Sequence, residues 1–244
     1  MRSNNPVINV YKKYNIKSEI VTQLLYGDTF KKVKKIGKWI KIKNDSDNYK
    51  GYIKNGKFLN NQKNTHKIFN LAAKIYTKPN LNSAINKKLS FGSKIRVIDK
   101  KKDFYKFDNF WIKKNNLKKI NYKSKDIFKL IKIFKNIKYK WGGKNFEGID
   151  CSGIVQIFFN FNNKYCPRDS SDQIKYFKKK IKLKNIKKND LLFWKGHVAV
   201  ALSKRELIHA YGPLKKTVIM PINLTIDRIY KTAKLKVIGI RRFN

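Results

Sequence analysis

The chain is short of acidic side chains, cysteine, proline and histidine: its 244 residues hold 15 Asp+Glu, two Cys, five Pro and three His. Cys151 and Cys166 form no CxxC pair and match no zinc-ligand spacing, which argues against a disulfide scaffold or a structural zinc site. No window approaches the roughly 18 uninterrupted apolar residues of a membrane span. The first residues, MRSNNPVINVYKKY, lack the apolar stretch of about 7 to 15 residues found in a secretory leader, so the expected location is the cytoplasm.

Apolar and basic side chains are plentiful. Hydrophobic residues make up 41% and aromatics 14%, enough to fill a core and to exclude fibrous and disordered classes. At about 100 to 200 residues per domain, the length allows one to three units. The 59 Lys+Arg give a net charge of +44, and only seven of them are Arg. Phosphate and base readers favour Arg forks, so this Lys excess, alongside abundant Asn and Ile, reads as a compositional bias. The field would still draw anionic ligands, and charge alone does not choose among them.

From residue 7 to about 120, short apolar runs broken by Gly, Asn, Asp and Lys suggest β structure. The pattern occurs twice. Leu25-Tyr26-Gly27-Asp28, then Trp39-Ile40-Lys41-Ile42, then Gly51-Tyr52-Ile53 is echoed by Phe91-Gly92, Tyr105-Lys106-Phe107 and Phe110-Trp111-Ile112. Each copy resembles a bacterial SH3-like domain, which implies two small β-barrels at 1–62 and 63–121. The same strand-turn-strand patterns recur in other small barrels.

Composition changes after Asn121, and an α+β domain is expected over 122–244. Ile127, Leu130, Ile131, Phe134 and Ile137 fall at helical spacing, with Ser124 or Asp126 as candidate caps. A second helical stretch runs from about Cys151 to Phe161. Strands are expected at Asp190–Trp194, His197–Leu202, Glu206–Tyr211, Thr217–Met220 and Leu235–Arg241, giving helices first and an antiparallel sheet after.

The segment Tyr139-Lys140-Trp141-Gly142-Gly143, followed by Gly148-Ile149-Asp150-Cys151-Ser152-Gly153, puts a cysteine where a Gly-bearing loop turns into a helix. Unpaired amides and the helix dipole at such a junction favour a thiolate and would lower its pKa. A lone Cys there would more simply be a small buried residue. Cys151 is accompanied by His197 and His209 on consecutive expected strands, close enough for one imidazole to orient the other while the first takes the thiol proton. His66 falls in the linker between the β repeats and is expected to be exposed.

The order YxWGG, DCSG, GHVAV and then HA, with the two histidines twelve positions apart, resembles the NlpC/P60 family of cysteine peptidases over roughly 124–242. The resemblance implies a papain-like α+β fold with Cys151 as nucleophile, His197 as base and His209 as orienting residue. It is sharpest toward members with N-terminal SH3-like domains, the γ-D-glutamyl-L-diamino acid endopeptidases of the dipeptidyl-peptidase VI type. These imply a free murein peptide, L-Ala-γ-D-Glu-diamino acid, as substrate, with an unblocked amine bound by acidic and hydroxyl groups. Matched by motif position, Tyr139, Trp141, Asp150, Ser152, Asp169 and Ser170 would line the site, with Glu19 and Tyr49 as further substrate-binding positions. For Asp169 and Ser170 a plain turn or cap is the alternative.

The resemblance implies no metal or organic cofactor. A monomer without a membrane span or specific nucleic-acid partner is expected, working in peptidoglycan recycling. Two other readings remain at this stage: an exported hydrolase of intact wall, and a basic SH3-like nucleic-acid-binding protein. Cys166, next to Pro167 and outside every motif, is read as structural.

Overall fold

The structure is a computed structural model that describes residues 1–243. The chain forms two compact units, the first of residues 1–123 with 142–146, the second of residues 124–141 and from 147 onward. Among the described residues no helix is long and apolar enough to cross a membrane.

The first unit is all β. Val7–Tyr11 (β1), Ile20–Leu25 (β2), Phe30–Ile36 (β3), Trp39–Asn44 (β4) and Lys50–Lys54 (β5) form an antiparallel sheet in the order β2-β1-β5-β4-β3. Alternation along β4 sends Ile40 and Ile42 inward to meet Val10, Leu24, Phe30 and Ile53. The expected barrel is corrected here: β2 and β3 end the sheet order without pairing to each other, so the sheet stays open. β3 carries Lys31, Lys32, Lys34 and Lys35, all exposed, along that edge, and Lys is a residue that blunts edge-to-edge association.

His66–Ile68 (β6), Ala72–Tyr76 (β7), Ala84–Ser90 (β8), Lys94–Ile95 (β9), Asp99–Lys101 (β10), Phe104–Phe107 (β11), Phe110–Lys113 (β12) and Leu117–Lys119 (β13) complete this unit. They divide between two open sheets, β10-β11-β12-β7-β8 and β13-β6-β9, again in place of a closed barrel. The two copies share a turn: Gly27 and Gly92 both take a left-handed conformation, with φ of 81° and 83°. A Cβ at Gly27 would lie 1.9 Å from the Lys94 carbonyl oxygen, so glycine is required there on two counts. Arg2 and Tyr26 join the two halves by meeting Asp108, Arg2 through paired bonds of 2.9 and 3.1 Å and Tyr26 through its hydroxyl. His66 is on β6 rather than in an exposed linker, half-buried and bonded through Nδ1 to the Thr65 hydroxyl at 2.9 Å. Lys144–Asn145 (β14) also belongs to this unit, with the Lys144 amide and the Asn145 side chain both donating to Gln23 Oε1 at 2.8 and 2.9 Å.

The second unit is α+β, as expected. Gly148–Ile149 (β15) leads into the helix Cys151–Phe161 (α1), and Ser170–Tyr176 (α2) follows. Lys179–Ile181 (β16), Leu191–Trp194 (β17), His197–Ala201 (β18), Glu206–Tyr211 (β19), Lys216–Pro221 (β20) and Gly239–Arg242 (β21) make a six-stranded antiparallel sheet, β16-β21-β17-β18-β19-β20. Between β20 and β21 lies Ile222–Ala233 (α3).

α1 is buried on nearly every side, with only Asn160 partly exposed, the signature of a central helix rather than a surface one. It packs on β18 and β19. Phe158 and Phe159 meet Phe128, and Phe134 meets Phe158, at ring separations of 5.8 to 5.9 Å. Ile222 and Ile229 of α3 join Leu192, Trp194, Ala199 and Leu207 in a second apolar cluster.

Two sequence expectations need correction. The helix over 127–137 is absent: turns lead into a single 3-10 turn, Ile131–Phe134, and Asn136 then adopts a positive φ of 66°. Phe128, Ile131 and Phe134 are buried at intervals of three, the period of a 3-10 turn. The last strand begins at Gly239 rather than Leu235.

Candidate active site

Cys151 is the first residue of α1. Asp150 caps the helix by accepting the Gly153 amide at 2.6 Å, which fixes the loop-to-helix turn. The thiol is buried, 4.0 Å from the Gly196 carbonyl. The backbone amides of Val198 and Ser152 also bear on the sulfur and favour its anion. Gly196 and Val198 flank His197 in sequence, so the start of β18 borders the nucleophile.

The two histidines meet directly. β18 and β19 pair Val200 with Ile208 and Ala201 with Leu207; continuing that register puts Tyr211 across from His197 and His209 one diagonal step away. His197 Nε2 lies 2.8 Å from His209 Nδ1. Tyr211 stacks on His209 at 4.7 Å and 13°, holding the ring plane. His197 thus commits Nε2 to His209, which leaves Nδ1 to receive a proton from sulfur. In that tautomer His209 accepts at Nδ1 and carries its own hydrogen on Nε2. Nε2 of His209 is buried and has no hydrogen-bond partner among the described residues.

Burial sets the resting charge. It pushes the Cys151 thiol up to about 12, with the neighbouring Asp150 carboxylate acting in the same direction. Burial also takes His197 down to about 4 and lowers His209, where proximity to His197 adds to the effect. The sequence-based expectation of a lowered thiol pKa is therefore corrected: desolvation outweighs the helix terminus and its amides. Both shifts favour the uncharged forms, thiol and imidazole.

A residue passed over in the sequence anchors the surroundings. Arg168 is 2% exposed and forms a fork on Asp150, with contacts of 2.5 and 3.0 Å, while also donating to the Ser152 hydroxyl at 3.0 Å. Its signal lies in the sequence: it is one of seven arginines and directly precedes Asp169 and Ser170. Asp150 and Ser152, expected to meet a substrate amine, are thus held by Arg168. Asp169 occupies the N-cap position of α2 without a side-chain capping bond, and Ser170 is buried as that helix's first residue. Gln173 ties the two helices together, donating to Ser152 O at 3.0 Å and Pro167 O at 2.9 Å.

Tyr139 is partly buried, and burial raises its hydroxyl pKa, reinforced by Cys151 and Asp150. The phenol therefore stays protonated within electrostatic reach of the thiol. Trp141 is 57% exposed. A Cβ at Gly148 would fall 2.6 Å from Lys140 Cβ, so the loop before the nucleophile closes only with glycine. Glu19 and Tyr49 lie in the first unit, Glu19 paired with Lys12 at 3.2 Å and Tyr49 directly before β5. Cys166 is fully buried, its carbonyl bonded to Gln156 at 3.1 Å. Among the described residues, no cluster of three or more His, Cys, Asp or Glu is arranged to hold a metal ion.

The sequence profile of the NlpC/P60 family matches residues 136–231, the span containing Tyr139, Cys151, Arg168, His197 and His209. Residues 136–231 are an NlpC/P60 domain. The bacterial SH3 domain profile matches residues 6–59, covering β1 to β5. The chain is 39% identical over 72 residues to dipeptidyl-peptidase 6 of Lysinibacillus sphaericus, a match covering 30% of this chain and 27% of that one. It is 34% identical over 77 residues to a probable endopeptidase NlpC homolog of Haemophilus influenzae, covering 30% and 41%. The chain therefore matches well under half the length of these relatives.

Among solved structures, an NlpC/P60 family protein from Bacillus cereus shares the fold with a TM-score of 0.81 and 17% identity, over 99% of this chain and 98% of that one. An NlpC/P60 endopeptidase from Photobacterium damselae superposes with a TM-score of 0.63 and 14% identity, over 98% and 70%. Peptidases of the NlpC/P60 family are cysteine peptidases, and the NlpC/P60 domain here carries the thiol and imidazoles that such chemistry uses.

Proposed function

We propose that the chain is a cysteine endopeptidase that hydrolyses the bond between γ-D-glutamate and a diamino acid in free murein peptides bearing an unblocked N-terminal L-alanine. One observation carries the chemistry: the Cys151 sulfur lies at the start of α1, beside the strand whose His197 is oriented by His209. The match to dipeptidyl-peptidase 6 supports the substrate class.

In the proposed reaction the Cys151 proton passes to His197 Nδ1 as the sulfur attacks the γ-carbonyl carbon of D-glutamate. Negative charge gathers on the carbonyl oxygen, where α1 amides and the protonated Tyr139 hydroxyl can donate to it. Collapse breaks the C–N bond. His197 returns its proton to the leaving amine of the diamino acid, and the acyl group remains on sulfur as a thioester. Water, deprotonated by His197, then attacks the thioester and releases L-Ala-γ-D-Glu with regeneration of the thiol.

A substrate ammonium at this site needs carboxylate or hydroxyl partners. Asp169 and Ser170, directly after Arg168, are offered for that role, and the basic surface favours a substrate with several carboxylates. The test compares a free tripeptide with its N-acetylated form by chromatography of the products. The free peptide should be cleaved and the blocked one should not, with all turnover lost in Cys151→Ala. Equal cleavage of both peptides would refute amine recognition, and turnover surviving in Cys151→Ala would refute the whole assignment.

A further inference from the structure

The bacterial SH3 sheet has a second face that the peptidase chemistry does not use. Along β4, Ile40 and Ile42 point into the core, so Trp39, Lys41 and Lys43 take the opposite side. Register carries the pattern across neighbouring strands: Lys41 stands opposite Tyr52, Trp39 opposite Lys54, and Tyr52 opposite Tyr11. Aromatic and ammonium side chains thus alternate across this face. Tyr11 meets Trp39 edge-on at 5.4 Å, Tyr14 meets Tyr52 at 5.7 Å, and the Lys41 ammonium lies 5.7 Å over the Tyr52 ring.

Trp39 also helps line a cleft of about 600 Å³, together with Tyr14, Ile16, Lys35, Lys38 and Lys54. This volume is within the ~300–1,000 Å³ of ligand sites. Among the described residues no carboxylate lines the cleft. Glu19, on the turn that carries Tyr14, is drawn to Lys12.

The chain-wide lysine excess accounts for ammonium groups anywhere on the surface. It does not account for Tyr11, Trp39 and Tyr52, half-buried on the outer side of the sheet, or for Tyr14 on the adjoining turn, 56% exposed. Partly exposed rings beside ammonium groups suit a ligand that has both flat unpaired faces and a chain of negative charge. Duplexes hide their flat faces, and polyphosphates have none.

We propose that this face binds single-stranded nucleic acid without sequence preference, with bases stacked on Trp39 and Tyr14 and phosphates held by Lys35, Lys38, Lys41 and Lys54. The contact uses π-faces common to all bases, so affinity follows strand length and salt rather than sequence. With three or four phosphates neutralised, log K should fall against log salt with a slope of roughly −2 to −3.

The test uses the full chain and a labelled oligothymidylate of about 12 nucleotides, read by fluorescence anisotropy at about 50 mM salt. The oligonucleotide should quench tryptophan emission and bind about tenfold or more tightly than linear polyphosphate of equal charge. Trp39→Leu should weaken it about tenfold. Tyr14→Leu, at a side chain exposed enough to leave folding intact, should weaken it several-fold, whereas Lys178→Gln/Lys179→Gln/Lys180→Gln on the second unit should change little. Equal binding of polyphosphate or of duplex DNA would overturn the proposal, as would unchanged affinity in both aromatic variants.

Discussion

The chemistry of the second unit comes down to a few side chains whose charge is set by burial. Since His197 is held near 4, kcat/KM for a free tripeptide should stay level from about pH 5 to 8 and fall as pH drops through about 4, where the base protonates. The thiol, pushed up to about 12, should alkylate with iodoacetamide at a rate still rising above pH 9. A plateau below pH 7 would reveal a resting thiolate and contradict the neutral pair. His209→Ala should lower kcat by about 10²-fold with little change in KM, because it frees the His197 ring without removing the base.

Arg168 matters for stability as well as position. Arg168→Met leaves Asp150 buried without its guanidinium and should cost about 3–5 kcal/mol in urea unfolding. Asp150→Asn/Arg168→Met should cost less than Arg168→Met alone, since Asn keeps the cap without the stranded charge.

At the scale of elements, the sequence was most readable where one physical requirement dominated. α1 and β19 were expected within a residue of where they lie, because a mostly apolar run after a Gly-bearing loop and a bounded strand pattern each have few alternatives. α3 was missed because Ile222, Leu224 and Ile226 alternate like a strand, whereas the buried positions, Ile222, Thr225 and Ile229, follow a helical interval that includes a polar residue. The failed helix at 127–137 is the reverse case: helical spacing was present, but Asp126 bonds the Phe128 amide and pairs with Lys188, and burial follows a tighter turn. Arg168 was overlooked because a buried arginine declares itself only through its partner.

Asp108 shows how distant elements are fastened. Burial would raise its carboxyl, but Arg2 and Tyr26 outweigh that and hold it below its usual value. A depressed carboxylate stabilises above its unfolded pKa, so this contribution should be complete above about pH 5 and disappear as pH falls below about 4. Asp108→Asn should lower stability by about 2 kcal/mol at neutral pH, and the difference from the parent should narrow in acid. A gap that stays constant down to pH 3 would count against the assignment.

For the whole molecule the dominating quantity is a net charge of +44. Like charges at that density oppose compaction, and salt screens them over about 10 Å at 0.1 M. The melting temperature should therefore rise by several degrees between about 0.02 and 0.2 M salt in a calorimetric scan; a fall would show that attractive pairs dominate instead.

Residues 142–146 lie in the sequence between two stretches of the second unit yet cluster with the first, where the Lys144 amide and Asn145 side chain find Gln23 and the Phe146 amide finds Ser90. The polypeptide therefore passes from one body to the other three times, not once. Excising residues 124–244 as an autonomous fragment would strip Lys144, Asn145 and Phe146 of their acceptors directly upstream of the nucleophile, so such a fragment is the wrong starting point for dissecting activity. Interior substitutions in the intact chain avoid that damage.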